Sequence, residues 1–279
     1  MSQEILSKLS VNHIDDLSSS RNEPDWLKDY RKNSLSIYDD MPIETSPLYN
    51  KYTDAKKMSP SKVSLSTSTT QTIPKFLEKR LGELENEICI IQIGTNIYKI
   101  NLPDDLKSKG LVISSISDAI KNDSELVKKS LEASNSKEDK FTALNNAAFN
   151  SGIFIHIPRN LVVEKPIHFM ICLSDDGHST ISRNIIFADE SSKATIVQEL
   201  YSPQIESQQA YLELLNTNLA ANAQLDITTL QMMDQHAVTF STRRTDLAQD
   251  AKVNWYSGLF GSMLSRYKKI GRASCRERV

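Results

Sequence analysis

Cysteine is scarce: Cys89, Cys172 and Cys275 are the three in 279 residues, far apart and never in a C-x-x-C pair. That excludes a disulfide framework and paired-cysteine zinc or redox motifs, and it fits a reduced cytoplasmic compartment. Glycine is also sparse, with 8 residues, too few for a collagen-like or loop-rich chain. No apolar run reaches the roughly 18–20 residues needed to span a bilayer. The first 16 residues lack the basic and apolar regions of a secretory signal. Lysine plus arginine (33) falls just short of aspartate plus glutamate (35), a net charge of −2, so there is no basic footprint for nucleic acid. The patterns G-x-x-x-x-G-K-[ST], G-x-S-x-G, H-E-x-x-H and those of kinases are all missing, which argues against ATP binding through a phosphate loop.

What is present is organised around Phe141–Ile171. Phe141, Leu144, Ala148 and Phe149 recur near helical spacing, and Asn150-Ser151-Gly152 supplies a stop. Ile153, Ile155 and Ile157 then alternate with Phe154 and His156, the period of a strand. Pro158-Arg159-Asn160 breaks it, Leu161–Val163 resumes it, and Pro166 turns it into Ile167–Leu173. Upstream, residues 1–20 are polar and expected to fray. A helix is predicted over 22–40, with Asn22 as cap, Pro24 near its first turn and Pro42 beyond its end. A Ser/Thr-rich linker follows at 59–74. Next come a short helix at Phe76–Leu84, a hairpin of Ile88–Ile93 with Asn96–Leu102, and one helix over Ser117–Ala133. The chain thus divides into a helical region (1–58), a linker (59–74), a mixed lead-in (75–150) and a strand core (151–269). The 22–40 helix is expected to be separable from that core.

The core carries an internal repeat. Ala194-Thr195-Ile196, Ala223-Gln224-Leu225 and Ala251-Lys252-Val253 recur at spacings of 29 and 28. Each follows another strand-like run: Ile185–Phe187, Tyr211–Leu215 and Val238–Phe240. Strands repeating at this period without helices point to stacked coils of a β-helix, with the three alanines in one line. A meander or β-sandwich is the alternative.

Several segments carry a family resemblance. F-x-x-L-N-x-A-x-F-x-x-G over Phe141–Gly152, followed by Glu164-Lys165-Pro166-Ile167, resembles the SufB/SufD family of the SUF iron–sulfur cluster assembly system. So do Glu23–Arg31 with Met41-Pro42-Ile43, Lys51–Asp54, Arg183–Glu199, Ala221–Gln231 and Asp250–Ser262, which cover roughly Pro24 to Arg266. The likeness is closer to SufD than to SufB. Gln198–Pro203 stands where SufB-type proteins carry a glycine-cysteine signature, and Gln231-Met232-Met233 replaces their Q-N-W. The resemblance implies a right-handed parallel β-helix with an N-terminal α-helical region. It also implies partnership with a SufB-like subunit and the ATPase SufC, the iron–sulfur cluster being cargo of the complex. In the family, the cluster-handling residues and the SufC-docking segment lie toward the C-terminus, so no such residue is carried over here.

Ile270–Val279 reads as a translated sequencing adapter (ATC GGA AGA GCG TCG TGT AGG GAA AGA GTG). The expectation is therefore a non-native tail at 270–279 and an incomplete β-helix ending near Lys269.

The residues with chemistry mostly have plain readings. His156 and His168 sit in strands without partners at ligand spacing. His236 lies beside Asp234 in a turn. Cys172, at a strand end, has a thiolate that would suit iron, against the plainer reading of a buried structural thiol. Arg243-Arg244 reads as solvated charge rather than an anion site. No catalytic or metal-ligating residue is assigned. Beside the non-enzymatic scaffold stand two other classes: a β-helix enzyme, lyase or acyltransferase, and a plain solenoid binding module. The lyase lacks its export signal here, and the acyltransferase its hexapeptide repeats.

Overall fold

A computed structural model describes residues 9–42, 73–174, 179–204, 206 and 208–273. All but the last two residues of the expected linker lie outside the described residues, as do Lys51–Asp54 and Cys275. The strands are β1 (Ile88–Ile93), β2 (Asn96–Asn101), β3 (Val112–Ser115), β4 (Ile153–Ile157), β5 (Ile167–Cys172), β6 (Thr180–Ala188), β7 (Lys193–Tyr201), β8 (Gln209–Leu219), β9 (Gln224–Met233), β10 (Ala237–Leu247), β11 (Lys252–Gly261) and β12 (Leu264–Ala273). They form two sheets, ordered β11-β9-β7-β5-β1-β2 and β12-β10-β8-β6-β4-β3. From β5 onward, successive strands alternate between the sheets, and every pairing between coils is parallel. The result is a β-solenoid of about four turns, not a sandwich. The antiparallel strands β2 and β3 lie at one end, and β11 and β12 are the edges at the other. β12 runs through Ile270–Ala273, in register with Arg244–Leu247. The strand expected at Leu161–Val163 is reduced to one bridge, Val162 with Lys193.

One corner of every coil is built the same way. Asn160, Ser191, Asn222 and Asp250 all have φ between 57° and 61°. Each is the third residue of a turn closed by an i+3 bond, such as Ser192 N to Asp189 O and Ala223 N to Ala220 O. Short polar residues tolerate this left-handed conformation best after glycine. The amides of Asn160, Ser191 and Asn222 each donate to the next coil, to the carbonyls of Glu190, Ala221 and Gln249, all at 2.9 Å. Stacking therefore continues through the corner.

This register corrects the alanine alignment. Ala223 and Ala251 both follow the left-handed residue, but in the preceding coil Ser192 has that place. Ala194 instead pairs with Leu225, which pairs with Val253. The cause is loop length: the β7–β8 connection (202–208) is longer than the β9–β10 connection (234–236). That coil takes 31 residues from Lys193 to Gln224, and the next takes 28 from Gln224 to Lys252.

The helices are α1 (Val11–Ser20), α2 (Asp25–Asp40), α3 (Glu78–Glu83), α4 (Asp104–Ser108), α5 (Ile116–Asn122), α6 (Ser124–Glu132) and α7 (Lys140–Ala148). Of these, α1, α2, α5, α6 and α7 pack on the outer face of the second sheet, whereas Arg80 of α3 reaches the outer face of the first. The fraying expected over 1–20 gives way to α1 from Val11 on, with Ile14 and Leu17 buried. The cap of α2 is Pro24 rather than Asn22. The single helix predicted over Ser117–Ala133 is two, broken at Asp123. Every residue of α7 is buried, and the Asp139 side chain caps it by accepting from Thr142 N at 2.8 Å.

Helix α2, expected to be separable from the strand core, packs into a core shared with it. Its Leu27, Leu35 and Tyr38 share one core with Leu144 of α7 and with Ile181, Ile185, Leu212 and Phe240 of the sheet. Arg31, 0% exposed, binds Glu23 at 2.8 Å, donates to Ala147 O at 3.1 Å and lies 3.8 Å from the centre of the Phe149 ring. Among the described residues, no helix is long and apolar enough to cross a membrane.

Candidate functional site

Alternation along each strand sends one set of side chains into the solenoid and the other outward. The lumen is filled mainly by aliphatic residues, among them Ile196, Leu200, Leu215, Leu225 and Ile227. In its middle coils the filling turns polar: Asn184, Gln198, Glu213, Thr229, Ser241 and Arg243 are all buried.

These residues form one network centred on Glu213. Its Oε1 accepts from Asn184 Nδ2 (2.9 Å), Gln198 Nε2 (2.5 Å) and the Tyr211 hydroxyl (3.1 Å). Its Oε2 accepts from Ser241 Oγ (2.5 Å) and Arg243 Nη2 (3.3 Å). Arg243 also donates to Thr229 Oγ1 and Gln198 Oε1, both at 2.6 Å, and to Ser241 Oγ at 3.1 Å. Its guanidinium faces the rings of Tyr267 (4.9 Å) and Trp255 (5.2 Å) in the last coil. Tyr267 donates to Gln231 Oε1 at 3.0 Å. Burial, then the Glu213 charge, pushes the Tyr211 phenol well above its ordinary pKa. With five donors on one carboxylate and a phenol held protonated, the network has no free base or nucleophile at neutral pH. Chemically it is a satisfied ion pair that spans three coils.

Glu199 turns the opposite way from Gln198. On the outer face of the first sheet it binds Arg80 of α3 (2.7 and 2.9 Å), the Tyr201 hydroxyl (2.8 Å) and His168 Nδ1 (3.2 Å). Burial alone would raise its pKa. The bonds from His168, Arg80 and Tyr201 outweigh burial and hold the carboxyl down at about 2. This cluster ties the Lys75–Glu83 segment to β5 and β7.

The histidines singled out in the sequence each pair with a carboxylate. His156 Nε2 lies 2.9 Å from Asp189, and His236 Nδ1 lies 2.9 Å from Asp234. His168 is in register with Cys89 on the neighbouring strand. Cys89 and Cys172 are buried, and burial pushes the Cys89 thiol up, away from reactive thiolate. Among the described residues, no group of three histidine, cysteine or acidic side chains could hold a metal.

The reading of Arg243-Arg244 as solvated charge is overturned: they are 1% and 5% exposed. Neighbours in a strand point to opposite faces, and both faces of β10 are covered. Arg243 therefore lies in the lumen, and Arg244 packs outward against Glu138. Glu213 was missed altogether. Its signal was present, because it shares strand parity with the large apolar residues Tyr211, Leu215 and Leu219.

Comparison with known proteins agrees with this architecture. The family described as SufBD protein N-terminal region matches residues 20–169, and the SUF system FeS cluster assembly, SufBD core domain, matches 171–270. Similar curated proteins include iron–sulfur cluster assembly SufBD family proteins of Staphylococcus aureus strains USA300 and MRSA252. Each is 24% identical over 269 residues, covering 92% of this chain and 58% of the relative. A counterpart in Staphylococcus saprophyticus is 23% identical over the same span and shares. The chain thus matches somewhat over half the length of these relatives.

Proposed function

The chain belongs to the SufBD family of SUF iron–sulfur cluster assembly, and on that footing we propose that it acts as a SufD-type, non-catalytic subunit of the assembly scaffold. Its partners in this reading are a SufB-like subunit and a SufC-like ATPase, in the cytoplasm, with the ATPase supplying ATP turnover and the cluster passing through the complex as cargo. The observation that carries the reading is the Gln198–Leu200 segment. Where SufB-type proteins are expected to carry glycine and cysteine, Gln198 is bound into the interior network, Glu199 is tied to Arg80, and Leu200 is fully buried. No thiol stands at this place to accept sulfur or iron.

Co-expression of the tagged chain with SufB-like and SufC-like proteins of the same organism tests this. The SufB-like subunit is expected to co-purify, with ATP hydrolysis following the SufC-like protein alone. Turnover by the purified chain itself, or failure to retain the SufB-like subunit, would overturn the proposal.

A further inference from the structure

Arg183 is fully buried between the helical layer and the second sheet, and no described carboxylate acts on it. Its Nη1 donates to Asn146 Oδ1 (2.7 Å), and its Nη2 donates to Ser134 Oγ (2.7 Å) and Ser130 O (3.3 Å). Asn216, diagonal to it in the β6–β8 register, sends its Nδ2 to the same two oxygens at 3.1 Å. Arg183 and Asn216 thus converge on one end of α6. Among the described residues, one polar atom of each of the three has no hydrogen-bond partner: Arg183 Nε, Asn216 Oδ1 and Ser130 Oγ. A buried donor or acceptor left unpaired costs roughly 1–3 kcal/mol, and most such groups in folded proteins are satisfied by protein or by ordered water.

We propose that Arg183, Asn216 and Ser130 form a buried hydration site, holding at least one ordered water in the seam between α6 and strands β6 and β8. The open valences decide the ligand class. Arg183 Nε can only donate, Asn216 Oδ1 can only accept, and the Ser130 hydroxyl does either. Water meets all three. A halide would suit the guanidinium but would face the lone pairs of Asn216 Oδ1. The site gives the unpaired guanidinium polar surroundings at the point where the helices meet the solenoid.

Crystals of the full chain grown with bromide as the only halide test this directly. The expected result is a density peak within hydrogen-bond distance of Arg183 Nε and Asn216 Oδ1, without anomalous signal at the bromine edge. An anomalous peak there, or Arg183 Nε bonded directly to a protein carbonyl, would overturn the proposal. In solution, oxygen-17 relaxation dispersion counts long-lived internal waters. Asn216→Leu should lower that count by at least one, and an unchanged count in a folded variant would contradict the site.

Discussion

Arg243 and Glu213 meet inside the solenoid at 3.3 Å, with neither side chain exposed. They belong to neighbouring coils, on paired strands β10 and β8, so their bond couples one turn of the stack to the next. Removing one member of a buried pair strands the other charge, which typically costs about 3–5 kcal/mol. Arg243→Met should therefore destabilise the chain by that order in denaturant unfolding. Arg243→Met combined with Glu213→Gln should lose less than the sum of the two single changes. Additive losses would mean that the pair is not coupled.

The corner ladder gives changes of opposite sign. Ser191 carries φ 59°, a conformation that glycine and asparagine accept more readily. Ser191→Asn should leave the turn intact and raise stability by a few tenths to about 1 kcal/mol, within the range of turn substitutions that relieve strain. Asn222→Ala places an unsuited residue at φ 59° and should cost about 1–2 kcal/mol. Thermal unfolding of the two variants checks both signs.

Gly152 has φ 152°, and a Cβ there would lie 1.9 Å from the carbonyl oxygen of Arg183. The strand cannot pair with β6 unless that space is empty. Gly152→Ala should cost at least about 2 kcal/mol, in the range of overpacked cores, measured by urea midpoint. A near-neutral effect would mean that the backbone yields at this point.

Acid should act through Glu199. Its folded pKa, about 2, lies below its ordinary value of 4.5. The stability it contributes is therefore present above about pH 4.5 and is lost as pH falls toward 2. Glu199→Gln should flatten the stability–pH curve across that window and leave its shape near neutrality unchanged. If the variant keeps the full acid dependence, other carboxylates carry it.

The sequence shows more of the fold than of the site, and for physical reasons. Strands and the repeat are legible because alternation and period are local properties of Ile153–Ile157 or Ala223–Leu225. Register is not local: the 202–208 loop shifts Ala194 out of the line of Ala223 and Ala251, and nothing in Ala194 itself records that. The 22–40 helix is read from its own caps and prolines, which say nothing of what it packs on, yet Arg31 is committed to Glu23, Phe149 and the last turn of α7. Arg243 looked solvated because charge usually is. Only the knowledge that both faces of its strand are covered places it inside. Glu213 makes contacts from Asn184 to Arg243, a span no local pattern carries.

In the proposed role this chain supports cluster assembly without performing it. The direct measurement is the visible absorbance of iron–sulfur cluster formed in vitro from iron, a sulfur donor and ATP, with the SufB-like and SufC-like proteins present. No cluster is expected on this chain alone, and a higher yield is expected on the SufB-like subunit when this chain is added. Cluster accumulating on the isolated chain, or a yield indifferent to its addition, would contradict that role.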